Sequence, residues 1–85
     1  MAQTSDAQAI CTEVVKLLQA AREGREWSKY EIARRSGVSQ SMLGRVERGL
    51  RNPTLETVLK LAIALEVDLG DIIKTAERAH RAKAG

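Results

Sequence analysis

Aromatic side chains are nearly missing from this chain: there is no phenylalanine, one tryptophan and one tyrosine among 85 residues. A core must then be assembled from Leu, Ile, Val and Ala, a palette that suits packed helices and predicts an all-α domain. Cysteine is equally scarce. Cys11 alone cannot close an intramolecular disulfide, and no His or second Cys lies at metal-ligand spacing, so no metal site is expected. There is no secretory apolar segment and no run of about 20 apolar residues, which argues against export or a membrane span and for the cytoplasm. No catalytic constellation and no Gly-rich phosphate loop is present, so neither an enzyme nor a cofactor is expected. A chain of this size buries only about 60–65% of its unfolded surface, which predicts one small, simple domain.

What the chain does hold in quantity is charge, unevenly placed. The net charge is +3. Residues 20–53 carry eight Lys or Arg against four Glu, residues 54–73 carry one Lys against four acids, and the last twelve residues carry four cations against one acid. Such polarisation favours a polyanionic partner.

The basic stretch also carries the clearest local signals. Ser28 stands three residues before Glu31 as a capping box, with Trp27 and Ile32 at the positions of a hydrophobic staple. Gly37 then follows a helix-compatible run at the point where a left-handed residue would end the helix. Ser39 caps a second short helix, in which Leu43 and Val46 face inward and Ser41, Gly44, Arg45 and Arg48 form a face that is entirely small, polar or cationic. Two short helices about a glycine turn make a helix-turn-helix.

Along the whole chain, the pattern predicts five helices. Residues 1–6 are polar and unpatterned and are expected to be a flexible N-terminus. Helix one runs from about Ala7 to Glu23 with Ile10, Val14, Leu17, Leu18 and Ala21 as its apolar face, and Gly24 ends it. Helices two and three occupy about 29–36 and 40–48, with Gly49 and the Leu50 to Pro53 loop after them. Thr54 caps helix four, about Leu55 to Leu65, whose buried stripe is Leu55, Val58, Leu61, Ala62 and Leu65. Asp68 caps helix five. The main domain is assigned to 7–75 and a basic C-terminal tail to 76–85, a segment that could continue helix five. In that tail His80 has no evident partner and is expected to be exposed.

These motifs, taken in order, resemble the lambda-repressor and Cro type of helix-turn-helix, the XRE family, over about residues 10–75. The resemblance is carried by Leu18 and Arg22, Trp27-Ser28, Ile32-Ala33, Gly37-Val38-Ser39, Glu47-Arg48-Gly49 and Asn52-Pro53-Thr54-Leu55-Glu56. It implies a five-helix lambda-repressor-like fold, with helix three in the major groove of double-stranded DNA. It also implies a structural salt bridge between Arg22 and Glu47. Ala33, four residues before Gly37, must be small for helix three to cross closely.

On that template Gln40, Ser41, Gly44 and Arg45 are the expected base-reading residues. Gln40 offers an amide suited to the adenine edge, Gly44 allows close approach, and Arg45 suits guanine O6 and N7. Phosphates would be met by Ser28, Lys29, Ser39, Arg48, Arg51 and Asn52. Lys29 departs from the family pattern, which usually has Gln there. A lysine keeps a phosphate contact but cannot accept a hydrogen bond from Gln40. Met42 is open between packing on a neighbour and touching a thymine methyl. Tyr30, early in helix two on its outer side, is expected to pack partly against the domain, the alternative being a phosphate hydrogen bond.

One half-site gives little affinity or specificity, which predicts a homodimer on a palindromic operator. Leu59, Ile63, Ile72 and Ile73 are apolar residues in excess of the core stripe and are the dimer-interface candidates. The expected function is a sequence-specific transcriptional regulator, a repressor in the leading version. The alternative is a DNA-binding antitoxin or interaction module whose basic tail engages a partner protein.

Overall fold

The computed structural model describes the backbone of residues 2–84 and the side chains of residues 6–83; it forms five α-helices. They are α1 (Ala2–Gly24), α2 (Lys29–Ser36), α3 (Gln40–Glu47), α4 (Leu55–Leu65) and α5 (Leu69–Ala84). Among the described residues there is no strand, and no helix is long and apolar enough to cross a membrane.

Local chemistry sets most of the boundaries. The hydroxyls of Ser28, Ser39 and Thr54 accept hydrogen bonds from the backbone N–H three residues on, each at 3.1 Å, and open α2, α3 and α4. Gly37, at φ +81°, ends α2 with its N–H on the Ala33 carbonyl at 2.9 Å. The capping box at Ser28 is only half made. The Glu31 carboxylate turns away from the Ser28 amide onto Arg34, at 2.6 Å, and Arg35, because a cation is the stronger partner for it. Two helix ends use glutamate where glycine is the easier residue: Glu26, φ +59°, follows α1, and Glu66, φ +58°, follows α4.

The core lies where α1, α2, α3 and α4 meet, with α5 laid against α1. Val14 and Leu18 of α1, Ile32 of α2, Leu43 of α3, and Val58, Leu61, Ala62 and Leu65 of α4 are buried together, with Ile10, Leu17 and Ala21 packed beside them. Trp27 is half-buried against this core, and the guanidinium groups of Arg35 and Arg25 lie 4.2 and 4.9 Å from its ring centroid. Its indole is thus fixed both by apolar packing and by cation–π attraction.

At four places the structure departs from what the sequence predicts. First, α1 begins at Ala2, so the expected flexible segment 1–6 is helical as far as it is described, Met1 lying outside the described residues. Second, residues 76–84 take the helical alternative that the sequence left open and not that of a separate tail. They continue α5, Ala76 is wholly buried, and the helix is tied to α1 by His80 on Asp6 at 3.0 Å and Lys83 on Glu13 at 3.4 Å; Gly85 lies outside the described residues. His80 is accordingly half-buried and partnered. The common cause is mutual: each end of the chain supplies the surface on which the other is helical.

Third, Leu55 does not belong to the buried stripe of α4 and is 68% exposed. At about 100° per residue it sits on the flank of that stripe, in the first turn, before the helix reaches the core. Fourth, Ile72 packs against the core, leaving Ile73 as the exposed member of the pair.

Candidate nucleic-acid interface

The second helix of the pair is held from behind by two buried charges. Arg22, late in α1, donates from Nε and Nη2 to the two carboxylate oxygens of Glu47, late in α3, both at 2.9 Å, and from Nη1 to the Trp27 carbonyl at 2.8 Å. Side-chain exposure is 10% for Arg22 and 7% for Glu47, so this is a desolvated, bidentate pair whose third guanidinium nitrogen is also hydrogen-bonded. Leu43 and Val46 bury the inner side of α3. The helix is fixed at its C-terminal end by charge and along its length by packing.

Its outer side is uncommitted. Gln40, Ser41 and Arg45 are exposed, and none of their side chains makes a hydrogen bond or ion pair among the described residues. Gly44 lies between them on the same face. A Cβ placed there would meet nothing nearer than an Arg48 guanidinium nitrogen at 4.0 Å, and the residue has no positive φ. The fold therefore gives no reason for glycine at this position, whereas close approach of an outside surface would. Met42 packs partly against the core, which settles its side chain inward.

The flanking cations divide into free and engaged. Lys29, at the start of α2, is exposed and makes no hydrogen bond to Gln40 among the described residues. Arg51 is exposed and unpaired among them. Arg48 folds its Nε back onto the Gly44 carbonyl at 3.2 Å, lying along the edge of the face while keeping its other guanidinium nitrogens free. Ser28 and Ser39 accept cap hydrogen bonds, which leaves each hydroxyl hydrogen to donate outward.

Asn52, a phosphate candidate in the sequence, is held in a reciprocal amide pair with Gln8 of α1, at 3.1 and 2.9 Å, with the Cys11 thiol 3.9 Å away. It ties the loop after α3 to α1. Tyr30 is the converse. Beside Lys29 in the first turn of α2, it is 63% exposed and brings a phenolic donor to the side expected to face phosphates. Its signal in the sequence was its place one residue beyond Lys29 at a helix N-terminus.

Arg34 and Arg35 contribute less than their number suggests. Both are spent on Glu31, whose carboxyl these hydrogen bonds, Arg34's first, hold below the usual glutamate range; the same bond raises the Arg34 guanidinium. The free positive charge near α3 is that of Lys29, Arg45, Arg48 and Arg51.

A helix-turn-helix family model matches residues 18–72, which is most of the chain and takes in α2, α3 and α4 whole. The chain belongs to the XRE-type helix-turn-helix family. Among curated relatives it is 37% identical over 62 residues to the HTH-type transcriptional regulator SutR of Escherichia coli, covering 73% of this chain and 35% of that protein. It is 36% identical over 56 residues to the uncharacterized HTH-type transcriptional regulator y4dL of Sinorhizobium fredii, covering 66% of this chain and 29% of that protein. A third, an uncharacterized HTH-type transcriptional regulator of Haemophilus influenzae, is 40% identical over 52 residues, with 61% and 53% covered. The chain thus corresponds to about a third of the first two relatives. No solved structure matches it at a significant level. The family match begins at Leu18 and ends at Ile72, so the first four turns of α1 and most of α5 lie outside it.

Proposed function

We propose that this chain is a sequence-specific regulator of transcription that binds double-stranded DNA with α3 in the major groove. The observation that carries the reading is the outer face of α3. Gln40, Ser41, Gly44 and Arg45 are adjacent and unspent, and the Arg22–Glu47 pair holds the helix rigid behind them. Gln40 and Arg45 have the geometry to read adenine and guanine edges, and Gly44 lets the helix approach the groove floor. Lys29, Tyr30, Arg48, Arg51 and the two cap serines position the protein on backbone phosphates.

The protein acts as a homodimer on a palindromic operator. Support comes from α4, where Leu55, Leu59 and Ile63, spaced four apart, are 68%, 41% and 73% exposed and form an apolar ridge. Ile73 is a further exposed member at 36%, while Ile72 is withdrawn into the packing. A dimer that covers a promoter acts as a repressor.

Selection of bound DNA from a random library at fixed salt tests this reading. Enrichment of a palindrome supports it. Retention that enriches no sequence and vanishes steeply with added salt is backbone attraction alone and contradicts it.

A further inference from the structure

A groove of about 200 Å³ opens between α1 and the end of α3 with the segment that follows it, and shares Arg48 with the edge of the outer face of α3. Gln8, Thr12 and Lys16 line it from α1, and Arg48, Arg51 and Asn52 from the other side. The α1 side falls before the family-matched segment and the other side lies within it.

Its chemistry is one-sided. Three cations line it, and the carboxylate that also borders it, Glu47, is already held at both oxygens by Arg22. Arg51 has no partner among the described residues, Arg48 touches only a backbone carbonyl, and Lys16 has an exposed contact of 3.8 Å to Glu13, a carboxylate shared with Lys83. The walls are fixed. The Gln8–Asn52 amide pair bridges them, and Gln8 also donates to the Thr12 hydroxyl at 3.3 Å, which leaves that hydroxyl hydrogen to donate into the groove. Donors with little compensating negative charge suit an oxyanion, and three cations suit one of more than a single charge. The volume is below the roughly 300–1,000 Å³ of sites for drug-sized ligands, so the occupant is small.

We propose that this groove binds a phosphate group, that of a small phosphorylated molecule or of the DNA backbone. Arg48 and Arg51 are shared between the groove and the proposed DNA contacts. A free phosphate compound there competes with DNA for both arginines and acts as an inducer. The inducer role and the DNA-backbone source rest on the DNA reading; binding of free phosphate does not.

Titrating the protein with inorganic phosphate and with pyrophosphate at constant ionic strength, followed by amide NMR, tests the site directly. The expected result is saturation, with shifts confined to Thr12, Lys16 and the 48–52 segment, and affinity about threefold to fivefold lower in Lys16→Gln, a change at an exposed position. Melting curves of the variant verify that it is folded. DNA affinity with and without phosphate separates the sources. A free ligand gives phosphate-dependent loss of DNA binding that Lys16→Gln relieves, while a backbone phosphate gives weaker DNA binding in Lys16→Gln without phosphate present. Non-saturating shifts spread over all cationic surfaces, together with DNA affinity unchanged in Lys16→Gln, overturn the proposal. If no DNA binds at all, the phosphate titration still decides the groove, and the inducer role and the DNA-backbone source fall.

Discussion

Gly44 separates the needs of folding from those of recognition. It sits inside α3 at ordinary helical dihedrals with open space where a Cβ would go. Alanine there should raise stability by about 1 kcal/mol, the usual difference between the two residues in a helix. DNA affinity should fall, because the added methyl stands between the helix and the groove floor. Thermal melts and a binding titration on the same variant check both halves. Glu26 gives a purely structural counterpart. Held at φ +59°, with no side-chain partner among the described residues, it should gain about 1 kcal/mol on replacement by Gly, a rise in Tm of about 4–8 °C.

The Arg22–Glu47 pair behaves differently because it is buried. Removing one partner strands the other charge, so Glu47→Gln or Arg22→Ala should cost about 3–5 kcal/mol, and replacing both with apolar residues should recover most of it. Glu31 carries the acid dependence. Its folded-state pKa is depressed by Arg34 and Arg35, so its contribution is present above the normal glutamate range and is lost as pH falls through the lowered value. The side chain is half-buried and in reach of solvent, so the effect is small. A carboxyl NMR titration should show the low midpoint, and Arg34→Ala with Arg35→Ala should return it to the ordinary range.

At the scale of elements, what could be read from the sequence was what neighbouring residues decide. Ser28, Ser39, Thr54 and Gly37 set helix ends by hydrogen bonds or dihedrals spanning three or four residues, and α2 and α4 fall at the predicted bounds. The start of α1 was not legible and the extent of α5 was left open, because both depend on contacts more than 60 residues apart in the chain, His80 with Asp6 and Lys83 with Glu13. Leu55 was misassigned for a geometric reason: the helical period gives a face but not how far a core reaches toward a helix end. In the candidate site the uncommitted face of α3 was legible, since it follows from which residues the inner stripe leaves over. The Gln8–Asn52 amide pair was not, because nothing in either segment points to the other.

The docking of α5 has a consequence for truncation. A chain ending at Thr75 loses Ala76, which is wholly buried, and both ties to α1. Its Tm should fall and α1 should lose helix near its N-terminus in amide exchange. Unchanged melting would mean that residues 76–84 are the separable tail that their composition suggests. A leucine at Ala33, at the crossing of α2 and α3, should likewise destabilise by about 1–3 kcal/mol through overpacking.

The whole molecule is a small helical scaffold with, among the described residues, four free cations, Lys29, Arg45, Arg48 and Arg51, around α3, three more, Lys74, Arg78 and Arg81, along α5, and an apolar ridge on α4. If that ridge is the dimer seam, Ile63→Asp should give a monomer in sedimentation with its melting temperature little changed, since Ile63 is 73% exposed. Binding to a full palindrome should weaken far more than binding to a half-site.

The most direct test of the account is to select DNA with the Arg45→Ala variant alongside the unaltered chain at the same salt. Arg45 is exposed, unpaired among the described residues, and one turn beyond Gln40 and Ser41. The variant should enrich the same palindrome with one base pair in each half-site relaxed, and should bind the original site about 1–3 kcal/mol more weakly. An enriched site unchanged at every position, with the same affinity or a uniform loss on all sequences, would contradict base reading by Arg45 on the outer face of α3.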